Sequence, residues 1–310
     1  MTIRLPKLIA TSVVRGSQQG ESHGGVYTID FDSQEVIQHV DWNKSGIDWR
    51  GRGADRGLRG VAFSSEDIYI TASDALFRYD AQFSNATSFT NHYLKHCHEI
   101  CRFEHTIFLT STGFDSLLAF DIHKEQFVWG YHLIRQYDEW SGYTFDPRAE
   151  MGPLPVNDFH INMVCVSAQG IFFSGLHTEA MLHLDKNLEL TEFCSLPVGT
   201  HNAQPFRDGI LFNDTESNCV RYVPRSGEEN AFVIKTYEET DLEFVDVDDS
   251  KVARQAFGRG LCPINDRLVA GGSSPSTISI YDLNSGQTLM SVNLTMDIRN
   301  AVHGLELWPY

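Results

Sequence analysis

The chain repeats itself. Gly199-Thr200-His201-Asn202-Ala203-Gln204-Pro205-Phe206 has partners in Lys95-His96-Cys97-His98-Glu99-Ile100-Cys101-Arg102-Phe103 and in Asn300-Ala301-Val302-His303-Gly304-Leu305-Glu306-Leu307. The aligned histidines, His98, His201 and His303, stand 103 and 102 residues apart. A second series lies between them. Arg59, Asn162 and Arg259 each open a short apolar run, and they are spaced by 103 and 97 residues. Two interleaved series of three copies predict six units in one chain, and periods of this kind imply a propeller or a solenoid.

A further marker fixes the register of the units. An apolar or aromatic residue precedes Asp and turn residues at Ile29-Asp30, Tyr79-Asp80, Phe120-Asp121, Leu184-Asp185 and Tyr281-Asp282, and Tyr222-Val223-Pro224 takes the sixth place without its Asp. Asp suits such a position because its carboxylate bonds the backbone of the turn that follows. Short β-like runs fill the chain, and helical periodicity is almost absent. In the second unit the predicted strands are Val61–Phe63, Asp67–Thr71, Ala75–Tyr79 and one near Thr87–Asn91. Four-stranded units of this size are propeller blades.

The expected fold is therefore all-β, a six-bladed β-propeller forming a single domain over residues 1–310 with pseudo-threefold character. Its first blade takes strands from both ends of the chain. Lys7–Ser12, Gly25–Asp30 and Glu35–Asp41 supply three, and Ala301–Leu307 supplies the innermost, which leaves no open sheet edge. Three long connections, roughly Asn43–Leu58, Ile134–Ile161 and Tyr237–Gly258, precede the Arg/Asn series. They are read as loops on one face, around the channel mouth. Long loops of this kind are usually functional or disordered. The first carries Trp49, Arg50 and Arg52, the second Trp140, Tyr143, Phe145 and Arg148, and the third the acidic run Glu238–Asp249, read as a solvated loop.

The blade pattern, as in Ile278-Ser279-Ile280-Tyr281-Asp282-Leu283-Asn284-Ser285-Gly286, resembles that of six-bladed propellers of the gluconolactonase and strictosidine-synthase-like groups. That resemblance implies the fold. The lactonase group's calcium site uses Glu, Asn and Asp at inner-strand positions. Here the matching positions hold His and Arg, so lactonase chemistry is not carried over. Propellers with histidine-ligated iron, such as carotenoid-cleaving oxygenases, are the closer chemical analogy.

Around the expected ring the aligned residues are His303, Arg59, His98, Asn162, His201 and Arg259, all opening inner strands and all expected to face the channel. Three imidazoles on alternate blades would form one face of a metal site on His98, His201 and His303. The expected cofactor is a divalent transition metal, and zinc, iron, copper, nickel and manganese all suit such a ligand set. Arg59 and Arg259 carry permanent charge with bidentate geometry, so the expected partner is a small anionic molecule. Asn162, Trp140 and Tyr143 would complete the substrate site. His96 and His160, two residues before His98 and Asn162, are expected one step nearer the mouth as general bases or proton shuttles.

The formal charge of −17 argues against nucleic acid and anionic membranes as partners. Six scattered cysteines without Cys-x-x-Cys spacing, and an N-terminus without an apolar signal core, point to reduced thiols and a cytoplasmic location. Two functional classes stay open. One is a metal-dependent enzyme acting on a small anion as hydrolase, lyase or oxygenase. The other is a non-catalytic propeller that binds a protein partner or an anionic ligand on its loop face. Neither reading fixes the oligomeric state.

Overall fold

A computed structural model describes residues 4–46, 57–247 and 253–310. The first sheet places its strands in the order β25-β1-β2-β3, built from β1 (Leu8–Val14), β2 (Gly25–Asp30), β3 (Glu35–Asp41) and β25 (Asn300–Leu307). The second is β4 (Val61–Phe63), β5 (Asp67–Ala72), β6 (Ala75–Asp80) and β7 (Ala86–Thr90). The third has five strands: β8 (Ile100–Phe103), β9 (Thr106–Ser111), β10 (Ser116–Asp121), β11 (Gln126–Gln136) and β12 (Glu139–Phe145). The fourth is β13 (Ile161–Ser167), β14 (Gly170–Gly175), β15 (Ala180–Leu184) and β16 (Leu190–Ser195). The fifth is β17 (Thr200–Phe206), β18 (Gly209–Asp214), β19 (Cys219–Pro224) and β20 (Asn230–Val233). The sixth is β21 (Leu261–Pro263), β22 (Leu268–Ser273), β23 (Thr277–Asp282) and β24 (Gln287–Asn293). Six antiparallel sheets of this size and connectivity define an all-β, six-bladed β-propeller.

The turn aspartates do what their position implies. Asp30 accepts the N–H groups of Asp32 and Ser33, Asp80 those of Gln82, Ser84 and Asn85, and Asp121 those of His123 and Lys124. Asp185 and Asp282 repeat the contact. In the sixth place Asp214, one strand earlier, accepts from Ser217.

Contacts group the residues into two compact units, one of Met1–Arg59 with Phe206–Tyr310 and one of Gly60–Pro205. In the first unit Leu8, Ala10 and Ile29 of the first sheet pack against Ala270, Ile278 and Ile280 of the sixth. Leu211, Val220 and Tyr222 of the fifth pack against Val269 and Tyr281 on its other side. In the second unit Tyr69 and Leu76 meet Leu109, Leu118 and Phe120, and Leu117, Tyr131 and Leu133 meet Val164, Phe173 and Leu182. Sheets covered on both faces explain the continuous apolar runs of the middle strands, and uncovered outer strands explain the polar alternation of β3, β7 and β24.

The first part of the second long connection is not a loop, whereas residues 146–160 that follow it form one. β11 runs on to Gln136 and folds back as β12, pairing from Gln136↔Glu139 to Gly130↔Phe145. Tyr137 and Asp138 both hold positive φ, 49° and 67°, the conformation of a tight I′ hairpin turn. Trp140 and Tyr143 therefore belong to a fifth strand. Trp49, Arg50 and Arg52 lie outside the described residues, as do Asp248 and Asp249 of the acidic run. None of the cysteines forms a disulfide among the described residues. No helix of the described residues is long and apolar enough to cross a membrane.

Candidate functional site

The aligned residues do not all open strands in the same phase, and two of the inner strands are bulged. In the fourth sheet the register breaks between Ile161 and Met163, so Asn162 is the extra residue. In the first sheet it breaks between Ala10 and Ser12, and Thr11 faces His303 and Gly304 together. His98 precedes β8, and Arg59 and Arg259 precede β4 and β21. A bulge re-aims side chains, so strict two-residue alternation fails here.

Hydroxyl groups tie the starts of the inner strands to their neighbours. Thr11 Oγ1 accepts the Gly304 N–H at 2.8 Å and donates to the Arg59 carbonyl at 2.5 Å. Thr110 Oγ1 accepts both the His98 and Glu99 N–H groups, at 2.9 and 3.1 Å. Thr110 is fully buried. Replacing it with Val leaves two buried donors without their acceptor, at about 1–3 kcal/mol. A Thr110→Val protein should unfold at clearly lower urea concentration than wild type. An unchanged midpoint would show that the segment at His98 and Glu99 holds itself.

In the unit Gly60–Pro205 the polar residues close a circuit. His98 Nδ1 lies 2.9 Å from Thr112 Oγ1, and Thr112 donates to the Ile161 carbonyl at 2.5 Å. Asn162 Nδ2 donates to the Thr200 carbonyl at 3.2 Å. Asn202 Nδ2 donates to Glu99 Oε2 at 3.1 Å, from the fifth sheet to the third. Glu99 and Asn202 each follow an aligned histidine, so the circuit returns to His98. Hydrogen-bonded circuits of buried groups rigidify their surroundings, although Asn162 Oδ1 here accepts no hydrogen bond from the described residues. The residues after the aligned series, Gly60, Glu99, Met163, Asn202, Gly260 and Gly304, carried the signal for this contact.

His96, His160 and Gly199 stand two residues before His98, Asn162 and His201, and all three have positive φ: 53°, 53° and 81°. They lie ahead of the strands, so strand alternation does not place them as the sequence suggested. The turn has another effect. It brings the carbonyl of His96 to 2.7 Å from His98 Nδ1, and that of Gly199 to 2.9 Å from His201 Nδ1. A carbonyl only accepts, so Nδ1 carries a proton in both rings. The His160 ring packs edge-on against His98, with centroids 4.9 Å apart. Trp140 is edge-on to Phe159 at 5.2 Å and lies under Arg135, while Tyr143 packs on His132. Their packing is with the sheet and the segment before β13.

In the other unit, arginines gather. Arg59 is 1% exposed. The guanidinium carbons of Arg15, Arg254 and Arg259 lie 4.6, 4.8 and 4.7 Å from the centre of the Phe257 ring. Arg254 is anchored through Asn218 Oδ1 and the carbonyls of Thr215 and Gln255. Arg259 Nε has no protein partner, and its Nη1 stands 3.5 Å from His303 Nε2. Burial pushes the Arg259 guanidinium well below its usual range, and the charges of Arg15, Arg59 and Arg254 push it the same way. Arginine does not give up its proton in proteins, so this cost appears as demand for a counter-charge. Arg15, Arg254 and Phe257 were not marked by the repeat. Arg254 and Phe257 lie just before Arg259 and could have been found there, but Arg15 has no such cue.

The metal expected on His98, His201 and His303 meets two facts. Among the described residues, no group of three or more His, Cys, Asp or Glu side chains is placed to hold a metal ion. His303 also turns its Nε2 to a guanidinium, where a bound cation would be repelled.

The comparisons with known proteins show the fold alone. The chain is similar to a Bacteroides caccae protein of unknown function, with TM-score 0.58, 11% identity, and 97% and 98% of the two chains covered. It is also similar to virginiamycin B lyase of Staphylococcus aureus, with TM-score 0.45, 12% identity, and 90% and 87% covered. A streptogramin B lyase structure aligns with TM-score 0.43 and 14% identity over 74% and 70% of the two chains. No family model and no curated protein matches the chain.

Proposed function

We propose that this propeller binds a small anionic molecule through Arg259, with Arg15, Arg59 and Arg254 supplying the surrounding positive field. One observation carries the reading. A chain of net charge −17 gathers four guanidinium groups at one place, three of them on a single phenylalanine ring. Any two of the three on the ring repel by on the order of 2 kcal/mol at an effective dielectric of about 20. Contacts with an aromatic face return only about 0.5–2 kcal/mol each. A bound oxyanion is attracted by each of these groups and suits the guanidinium fork. Arg254 is held by protein acceptors, whereas Arg259 Nε is buried without a hydrogen-bond partner among the described residues.

A transition metal is the second reading, favoured by the rings of His98 and His201. Each directs Nδ1–H to a carbonyl, the usual arrangement behind a metal-bound imidazole nitrogen. His303 does not share that arrangement.

Titration calorimetry with sulfate and phosphate, together with metal analysis of protein purified without an affinity tag, tests both. Sulfate or phosphate should bind, and Arg259→Gln should weaken binding about tenfold or more, the loss of one charge-assisted contact. Binding unchanged in Arg259→Gln and in Arg15→Gln would sink the anion reading. Stoichiometric metal that disappears in His201→Ala would establish the second reading.

A further inference from the structure

We infer that the hydroxyl of Ser274 is a second hydrogen-bond donor to the anion held by Arg259. The inference rests on the anion reading above, and of that reading it uses Arg259 alone. The segment from Ala256 to Gly260 runs antiparallel to the end of β22 and the residue after it. The Ala256 N–H donates to the Ser274 carbonyl at 2.9 Å, and the Ser274 N–H donates to the Phe257 carbonyl at 3.3 Å. The Arg259 N–H donates to the Gly272 carbonyl and the Gly272 N–H to the Gly260 carbonyl, both at 2.9 Å. This ladder carries on from the β21–β22 pair Leu261↔Gly271. Chains bonded in this way lie about 5 Å apart. Ser274 therefore stands across from Phe257, and Arg259, two residues along, sets its guanidinium carbon 4.7 Å from the Phe257 ring centre.

Both residues keep a buried donor that the protein does not use. Ser274 is 0% exposed, and neither its Oγ nor Arg259 Nε has a hydrogen-bond partner among the described residues. Buried polar side chains nearly always have one, so two unmatched donors on one ladder ask for an acceptor from outside the chain. An oxyanion supplies it. It has several acceptor oxygens, so one takes the guanidinium N–H and another the hydroxyl. A serine hydroxyl rotates to suit its acceptor, so it aims its proton at the anion without any movement of the backbone. It also adds a donor without adding a charge beside Arg259.

Titration calorimetry of the full chain with sulfate and with inorganic phosphate, in low salt, tests this. Ser274→Ala should weaken binding of both about tenfold or more, the loss of one hydrogen bond to a charged group. Because the hydroxyl has no protein partner, the same variant should melt no lower than wild type when no anion is added. Ser274→Cys keeps the shape and has only a weak S–H donor, so it should lose affinity in the same way. Ser174→Ala is the control. Ser174 Oγ is likewise buried without a partner, but Ser174 pairs with Met163 in the fourth sheet, and this variant should bind as wild type does. Wild-type binding by Ser274→Ala or by Ser274→Cys would overturn the inference. So would an equal loss in Ser174→Ala, or a loss in Ser274→Ala that comes with a lower melting temperature before anion is added, since the hydroxyl would then be structural. Binding that drops in Arg259→Gln but not in Ser274→Ala would leave the anion site standing without its hydroxyl. If wild type binds neither anion, the anion reading falls and this inference falls with it.

Discussion

A chain ending at Arg299 should not fold cooperatively and should aggregate. β25 is the innermost strand of the first sheet, and it pairs with β1 from Leu8↔Leu307 to Val14↔Asn300. All seven residues of β1 are buried. Removing its partner exposes a long apolar edge, a ready template for pairing with another chain. The deletion also removes Val302, 0% exposed, and Leu305, 4% exposed, from a cluster that holds Ala10, Ile278 and Ile280. Each fully buried side chain of that size is worth about 1.5–3 kcal/mol. Two of them, before any hydrogen bond is counted, reach a large part of the roughly 5–15 kcal/mol that keeps a protein folded. Size-exclusion chromatography and thermal melting of the truncated chain check this. A soluble species with one sharp transition would show that β1 does not depend on β25.

How much of this was written in the sequence depends on which interactions are local. The turn aspartates are local, since carboxylate and turn lie within five residues, and they placed the strands of the first two sheets to within two residues. The pairing of the chain's two ends followed from counting blades. The β11–β12 hairpin was hidden for a physical reason. A I′ turn wants Asn-Gly or Asp-Gly, and here Tyr137 and Asp138 adopt it without glycine. The extension of β11 onto β12 then looked like a loop.

The site was half legible. The repeat marked His98, His201, His303, Arg59, Asn162 and Arg259, because duplicated units keep their special residues at one register. It could not mark Arg15, which reaches the Phe257 ring from beyond the end of β1. His96 and His160 precede their strands with positive φ, and a bulge at Asn162 follows His160, so strict alternation does not run back to either. A bulge leaves no mark on hydrophobic pattern, and positive φ is uncommon enough outside glycine that residue type alone does not place it. The contact between Glu99 and Asn202 spans 103 residues. Only the alignment of the repeats brings those two positions together on paper.

Replacing Asp115 with Ala should destabilise the protein strongly and free the segment that carries His160. Asp115 is 0% exposed, and its carboxylate accepts the N–H groups of Asp158, Phe159 and His160 at 2.6, 3.2 and 3.1 Å. It thereby fixes the turn from which His160 packs against His98. Removing the acceptor leaves three donors short of a partner, an expected loss of about 3 kcal/mol or more. Burial pushes the Asp115 carboxyl up to about 6 from an ordinary 3.8, against the pull of the three N–H groups and with a small push from Asp158. A carboxyl raised on folding binds its proton more tightly in the native state. Its contribution to stability is therefore full below 3.8, declines as pH rises through the window from 3.8 to about 6, and stays low above it. The stability gap between wild type and Asp115→Ala should narrow across that window. Asp115→Asn, which keeps one acceptor oxygen and cannot ionise, should lie between them and lose this part of the pH dependence. Urea unfolding of the three proteins across the window measures both effects. If Asp115→Ala unfolds at the wild-type midpoint, the carboxylate does not hold the turn. If the gap widens as pH rises, the backbone bonds outweigh burial and the carboxyl titrates below its ordinary range.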